Sequence, residues 1–342
     1  MSDHLDPGMS RYDATLGWTL TPNWTGEHRN CDFSVTYQIN GHGFRDDSPP
    51  PDSGSGDLIA VVGDSFTFGF GVKESDTFVR RLNELAPSLG SFVNFGVPGY
   101  STDQEVLLLE RSILKLQPRA VLLVVYLGND VFDNELVYPM QVSMGKPRFV
   151  PEDGALTLVN TPVPPVQKPA SDPREDLRAA VLGEPSALSE LCSLVARHSV
   201  LLTRFQDRVA DWRDHTEDFS HRYANALDLF EALVARANDD CERAGCRLVI
   251  VLVGGRSMIE QPGSLSAQYQ EFLRAAILRS AASQDIDVID VASYLKAAAH
   301  GVGQSFYFPN DGHFSPLGHA MVGDILAREL KPLLAERVLR EK

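Results

Sequence analysis

The 342-residue chain has only four cysteines, Cys31, Cys192, Cys241 and Cys246, and no C-x-x-C pair. That scarcity argues against a disulfide framework and against a cysteine-built zinc site. Positive charge is also in deficit, with 31 Lys and Arg against 46 Asp and Glu, a formal net charge of −15. Such a balance argues against nucleic acid and anionic membrane surfaces as partners. No apolar run reaches the length of a bilayer span. Met1 to Gly8 has no basic segment leading into an apolar core, so no signal peptide is read there, and the expected location is the cytoplasm. Internal repeats are absent. No Gly-Lys-Ser/Thr follows Gly69 and Gly71, which removes a phosphate loop from consideration.

What the chain does have is an ordinary globular hydrophobic content of 43% and enough length for one large α/β domain with additions. Its organising stretch is Leu58-Ile-Ala-Val-Val-Gly-Asp-Ser-Phe-Thr-Phe-Gly69. A short apolar run closed by glycine predicts a buried strand followed by a tight turn. Ser65 then sits at the carboxyl end of that strand, where open α/β sheets place their chemistry. On its own such a serine reads equally well as a helix N-cap.

Residues 1–56 read as an N-terminal extension with one or two short strands, ending in a Pro/Gly/Ser linker from Asp46 to Gly56. Arg45 and His42, in Ile39-Asn-Gly-His-Gly-Phe-Arg45, can approach the site, but the expected roles are a structural salt bridge and a turn. From residue 57 strands and helices alternate. Strands are predicted at 58–62, 91–95, 119–128, 246–253 and 285–290. Helices are predicted at 74–86 with Ser75 or Asp76 as cap, then at 102–116, 223–244 and 265–282, from 292, and finally to about 334. Residues 131–220 break this rhythm and read as an insertion following the third strand, able to form a lid. Within it a hairpin turns at Asp153-Gly154, a proline stretch follows Thr161, and 187–215 has helical spacing around Trp212. The main domain therefore spans 57–334. Repeated strand–helix–strand units imply a mostly parallel sheet between helices, with strand ends on one rim.

Ser65, Gly99, Asn129 and the pair Asp311 and His313 all fall in loops that converge on that rim. A serine hydroxyl needs a base to become a nucleophile, and histidine is the base whose ordinary pKa suits neutral pH. An aspartate bonded to the other ring nitrogen would fix its tautomer. Attack on an ester carbonyl creates an oxyanion, for which the candidate donors are the backbone N–H groups of Ser65 and Gly99 and the Asn129 amide. Gly96 is the neighbouring alternative to Gly99. Asp64, Asp130 and Asn94 are expected to brace turns through backbone amides. His319 is expected to be a structural hydrogen bonder, because a metal site from Asp311, His313 and His319 lacks the usual spacing. Neither a metal nor a cofactor is expected.

Gly63-Asp64-Ser65, Asn94-Phe-Gly-Val-Pro-Gly99, Gly128-Asn129-Asp130 and Asp311-Gly-His313 resemble, in order, the four blocks of the SGNH (GDSL) hydrolase superfamily. The wider phrases around Gly17, Asn40 and Ser65 are similar to an uncharacterised bacterial branch. The resemblance covers 57–130 and 222–330 and implies a flavodoxin-like three-layer α/β/α sandwich. It also implies Ser65 as nucleophile, Gly99 and Asn129 as oxyanion donors, His313 as base and Asp311 as its orienting acid. Here Asp stands two residues before His, where many members have three, a spacing similar to acyltransferase-like branches.

The expected function is a serine esterase acting on a small-molecule ester through an acyl-Ser65 intermediate. The competing expectations are an O-acyltransferase using the same residues and, with intact blocks against it, an inactive carbohydrate- or lipid-binding module. Acyl chain, alcohol and oligomeric state are not legible in the sequence.

Overall fold

The computed structural model describes residues 7–46, 57–139, 141–152, 154–166, 223–299 and 303–335. The linker 47–56, Asp153, the predicted helical segment 187–215 with Trp212, and Cys192 lie outside the described residues.

The strands in chain order are β1 (Ser10–Asp13), β2 (Gly17–Leu20), β3 (Thr25–Arg29), β4 (Ser34–Gln38), β5 (Leu58–Gly63), β6 (Ser91–Gly96), β7 (Ala120–Tyr126), β8 (Arg148–Glu152), β9 (Ala155–Val159), β10 (Arg247–Val253) and β11 (Asp287–Asp290). The helices are α1 (Ser65–Phe68), α2 (Phe78–Leu85), α3 (Thr102–Leu108), α4 (Asp130–Asp133), α5 (Ala224–Arg243), α6 (Arg256–Glu260), α7 (Leu265–Ser283), α8 (Val291–Ala299) and α9 (Pro316–Ala335).

Five strands form one fully parallel sheet in the order β11-β10-β7-β5-β6. Every residue of β5 is buried, and β7 and β10 are buried apart from one end residue each, as their unbroken apolar runs require. The chain leaves β5 toward β6, then crosses back over β5 to β7 and continues outward. This reversal puts β5 between β6 and β7, at the switch point of the sheet. Contacts of α2 and α8 with α9, and of α3 and α7 with α5, give the two helical layers. The expected α/β/α sandwich is the observed architecture.

Three elements differ in detail from expectation. The N-terminal segment holds four strands rather than one or two, as antiparallel hairpins β1–β2 and β3–β4. Helix α2 begins at Phe78 and is capped by the Thr77 hydroxyl, which accepts from Arg80 N at 3.2 Å, not by Ser75 or Asp76. Those two residues instead lie in a separate 3₁₀ turn. Helix α3 ends at Leu108, and the rest of its predicted span is a wider π-helical turn at Leu109–Ile113 followed by a 3₁₀ turn at Leu114–Leu116. The β8–β9 hairpin forms in register Glu152↔Ala155, with Gly154 at φ +78.

The N-terminal hairpins share the main core: Trp18, Tyr37 and Ile39 belong to the same buried cluster as Val61, Phe68 and Leu123. Among the described residues no helix is long and apolar enough to cross a membrane.

Candidate active site

Gly63 ends β5, and a Cβ there would lie 2.3 Å from the Thr67 hydroxyl oxygen, so glycine lets α1 pack close to the strand end. Asp64 then caps α1, its Oδ1 accepting from Phe66 N at 2.8 Å. Ser65 is therefore the first residue of a four-residue helix, with the following turn closed by Gly69 at φ +83. Its hydroxyl lies 2.7 Å from His313 Nε2 and 3.3 Å from Asp64 Oδ2. On the other side of the ring, His313 Nδ1 is 2.5 Å from Asp311 Oδ1. The two-residue spacing thus spans the distance that an orienting carboxylate needs.

The imidazole is fixed by packing as well. Phe66 and Phe70 flank it with ring centroids 5.0 and 4.7 Å away. With Nδ1 bonded to a carboxylate, Nε2 is left to face the serine, the tautomer in which it accepts a proton. The hydroxyl has one hydrogen, so donation to His313 and donation to Asp64 exclude each other. Burial pushes the Asp64 carboxyl up to about 6, although its bond from Phe66 N and the neighbouring His313 pull the other way.

Gly99 and Asn129 follow β6 and β7, the two strands flanking β5, and both are buried. The topology thus brings all three oxyanion candidates to the ends of adjacent strands. Gly99 takes φ +80, and a Cβ would meet Val142 Cγ2 at 2.2 Å, so only glycine fits. Gly96 is the last residue of β6 itself, pressed against the backbone of Phe68. The Asn129 amide donates one N–H to Asp133 Oδ2 at 3.1 Å, one turn further along α4. That contact sets the plane of the amide and leaves its second N–H for another acceptor.

Asp130, Asn94 and His319 brace the surroundings. Asp130 Oδ2 accepts from Tyr126 N at 2.6 Å. Asn94 accepts from Gly96 N and donates to Thr67 O, tying β6 to α1. His319 Nδ1 accepts from Phe78 N at 3.3 Å, and burial lowers its pKa to about 3, so the ring is neutral.

Four residues of the N-terminal segment touch the loops of the site, and of these the sequence pattern offers only Arg45 as one that approaches it. Arg45, expected in a salt bridge, instead donates to the carbonyls of Phe68, Gly69 and Val72 at 3.0, 2.5 and 2.5 Å, closing the end of α1. Its guanidinium lies over the Tyr37 and Phe68 rings. Trp18 Nε1 donates to Pro98 O at 3.2 Å, beside Gly99. Asn30 and Asp32, between β3 and β4, bond the segment Asn310–Asp311. His42 is exposed, with its backbone in a turn on Asn40 as expected.

Comparison with known proteins gives one family match: the model of the GDSL-like Lipase/Acylhydrolase family aligns with residues 61–321. Among solved structures, the chain is similar to a catalytic mutant of Axe2, an acetylxylan esterase from Geobacillus stearothermophilus. The two share 12% identity over 83% of this chain and 97% of that one, with a TM-score of 0.46. It is also similar to TesA, at 13% identity over 81% and 99% of the two chains, with a TM-score of 0.44. No curated protein sequence matches.

Proposed function

As this chain belongs to the GDSL-like lipase/acylhydrolase family, hydrolases acting on ester bonds, we propose that it cleaves a carboxylic ester through an acyl-Ser65 intermediate. The observation that carries this reading is the unbroken line from Ser65 Oγ to His313 Nε2 at 2.7 Å and from His313 Nδ1 to Asp311 at 2.5 Å.

In this mechanism His313 takes the hydroxyl proton as Ser65 Oγ bonds to the carbonyl carbon. The resulting imidazolium is held by Asp311, whose carboxylate stays ionised. The oxyanion accepts from Ser65 N, Gly99 N and the second N–H of Asn129. His313 then gives its proton to the leaving alkoxide, and the alcohol departs. Water, deprotonated by the same ring, attacks the acyl carbon and releases the acid with Ser65 restored.

One observation favours a second reading, transfer of the acyl group to an alcohol. Asp311 stands two residues before His313, a spacing similar to that of acyltransferase-like branches, and this spacing still forms the 2.5 Å contact to the ring.

The test is p-nitrophenyl acetate turnover by Ser65→Ala, with fluorophosphonate labelling of the unaltered protein. The expected results are a loss of at least about 10³-fold in kcat and a single adduct on Ser65. Activity within a few-fold of wild type would remove Ser65 as nucleophile, and absence of an adduct would favour a binding module. Supplying alcohols during turnover separates free acid from a transferred ester.

A further inference from the structure

The loop carrying Asp311 and His313 belongs to no helix or strand, and Gly312 within it adopts φ +89. Bonds within the loop are Gly312 N to Phe308 O at 3.2 Å, Phe308 N to His313 O at 2.8 Å and Ser315 N to Phe306 O at 2.9 Å, with a bridge between Tyr307 and Phe314. These bonds hold the loop backbone but do not by themselves fix the Asp311 carboxylate against the ring. Side-chain support at Asn310 and Asp311 comes from the turn between β3 and β4, almost three hundred residues earlier in the chain.

That turn offers two side chains. Asp32 accepts from Asn310 N and Asp311 N through Oδ2, at 2.9 and 2.7 Å, and from the Asn310 amide through Oδ1 at 2.7 Å. Asn30 donates from Nδ2 to Asp311 Oδ2 at 3.1 Å. The orientation of the Asn30 amide is unambiguous, because its Oδ1 accepts from Asp32 N and Phe33 N at 2.8 and 3.1 Å. The nitrogen is therefore the end that faces the carboxylate. Phe33 packs against Phe308 with the rings tilted at 49° and centroids 5.1 Å apart, which anchors the turn against the loop.

We propose that Asn30 is a positioning residue for the Asp311–His313 pair, its amide holding the carboxylate oxygen that the imidazole does not use, while Asp32 grips the backbone beneath. The inference rests on the serine-hydrolase reading above. With Oδ2 tied to Asn30, Oδ1 is directed at His313 Nδ1 and rotation about the carboxylate is blocked. The N-terminal hairpin thereby becomes part of the catalytic apparatus without touching substrate. The charged and titratable groups around the pair are Asp32 on the hairpin, Asp64 on the β5 turn, His319 on α9, and Arg256, which donates to the carbonyls of Phe308 and Pro309.

Asn30→Asp tests this, because the substituted carboxylate keeps an acceptor for Asp32 N and Phe33 N while replacing the donor with a negative charge. The expected result is a fall in kcat of roughly tenfold, the scale of one hydrogen bond to a charged group, with KM within about twofold. The acid limb of the kcat profile should move to higher pH, since added negative charge favours the imidazolium. The proton resonance of His313 Nδ1–H should also shift, a readout independent of turnover. Asn30→Ala serves as the second variant, with kcat lowered and no added charge. Unchanged kcat, pH limb and resonance in folded Asn30→Asp would overturn the proposal. Ser65→Ala is measured alongside. If it is inactive while Asn30→Asp behaves as wild type, only the present inference fails; if Ser65→Ala stays active, both readings fall.

Discussion

The Arg45 guanidinium bonds the Gly69 carbonyl at 2.5 Å, so a side chain from before the linker closes the helix that begins with Ser65. A four-residue helix leaves its terminal carbonyls without intrahelical partners, and here one buried cation satisfies those of Phe68 and Gly69 together with that of Val72. Replacement by an apolar chain of similar length would leave these carbonyls short of donors. Arg45→Met should therefore lower stability by about 3 kcal/mol. An unchanged denaturation midpoint in urea would show that the contacts are idle.

Gly99→Ala combines two penalties. The position lies at φ +80, where an L side chain is strained, and the new methyl would meet Val142 Cγ2 at 2.2 Å. We expect a destabilisation of about 2 kcal/mol and a kcat reduced by at least about tenfold. The double variant with Val142→Ala should recover the steric share but not the conformational one. Full recovery of stability and rate would show that φ is not limiting.

Acid stability should depend on His319. Its ordinary pKa of 6.5 falls to about 3 through burial, so the unfolded chain binds a proton that the folded one refuses between those values. Folding stability from this group is therefore lost as pH falls below 6.5 and keeps falling toward pH 3. Asp64 has the opposite sign, because its folded pKa is raised from 3.8 to about 6 and its contribution is lost as pH rises through 6. The clean measurement is the difference between wild type and His319→Gln. The advantage of wild type should grow by about 1.4 kcal/mol per pH unit from pH 3 to 6.5 and stay level above. Parallel stability curves for the two proteins across that range would contradict a neutral buried ring.

The strand–turn around Ser65 and the parallel sheet were readable because a continuous apolar run closed by glycine has few other structural solutions. His313 and Asp311 stand close together in sequence, so their pairing was local. Trp18, Asn30, Asp32 and Arg45 carry no comparable signal. Strand β3 reads Thr-Gly-Glu-His-Arg and alternates between exposed and half-buried, so its apolar pattern is nearly blank. Asn30 and Asp32 look like ordinary turn formers, and their partners in space lie far along the chain. Arg45 looked like one half of an ion pair, because a cation on three carbonyl oxygens leaves no matching acid in the sequence. The Thr77 cap was missed in favour of Ser75 and Asp76 because all three are good capping types within one turn.

The segment before residue 57 reaches the loops of the proposed active site at three points, Pro98, Gly69 and Asp311. A polypeptide starting at Asp57 would retain each recognisable block and every atom of the serine, histidine and aspartate. It would nevertheless lose the bonds to Pro98, Gly69 and Asp311, so on the positioning role proposed above its intact signature motifs would not guarantee an operating enzyme.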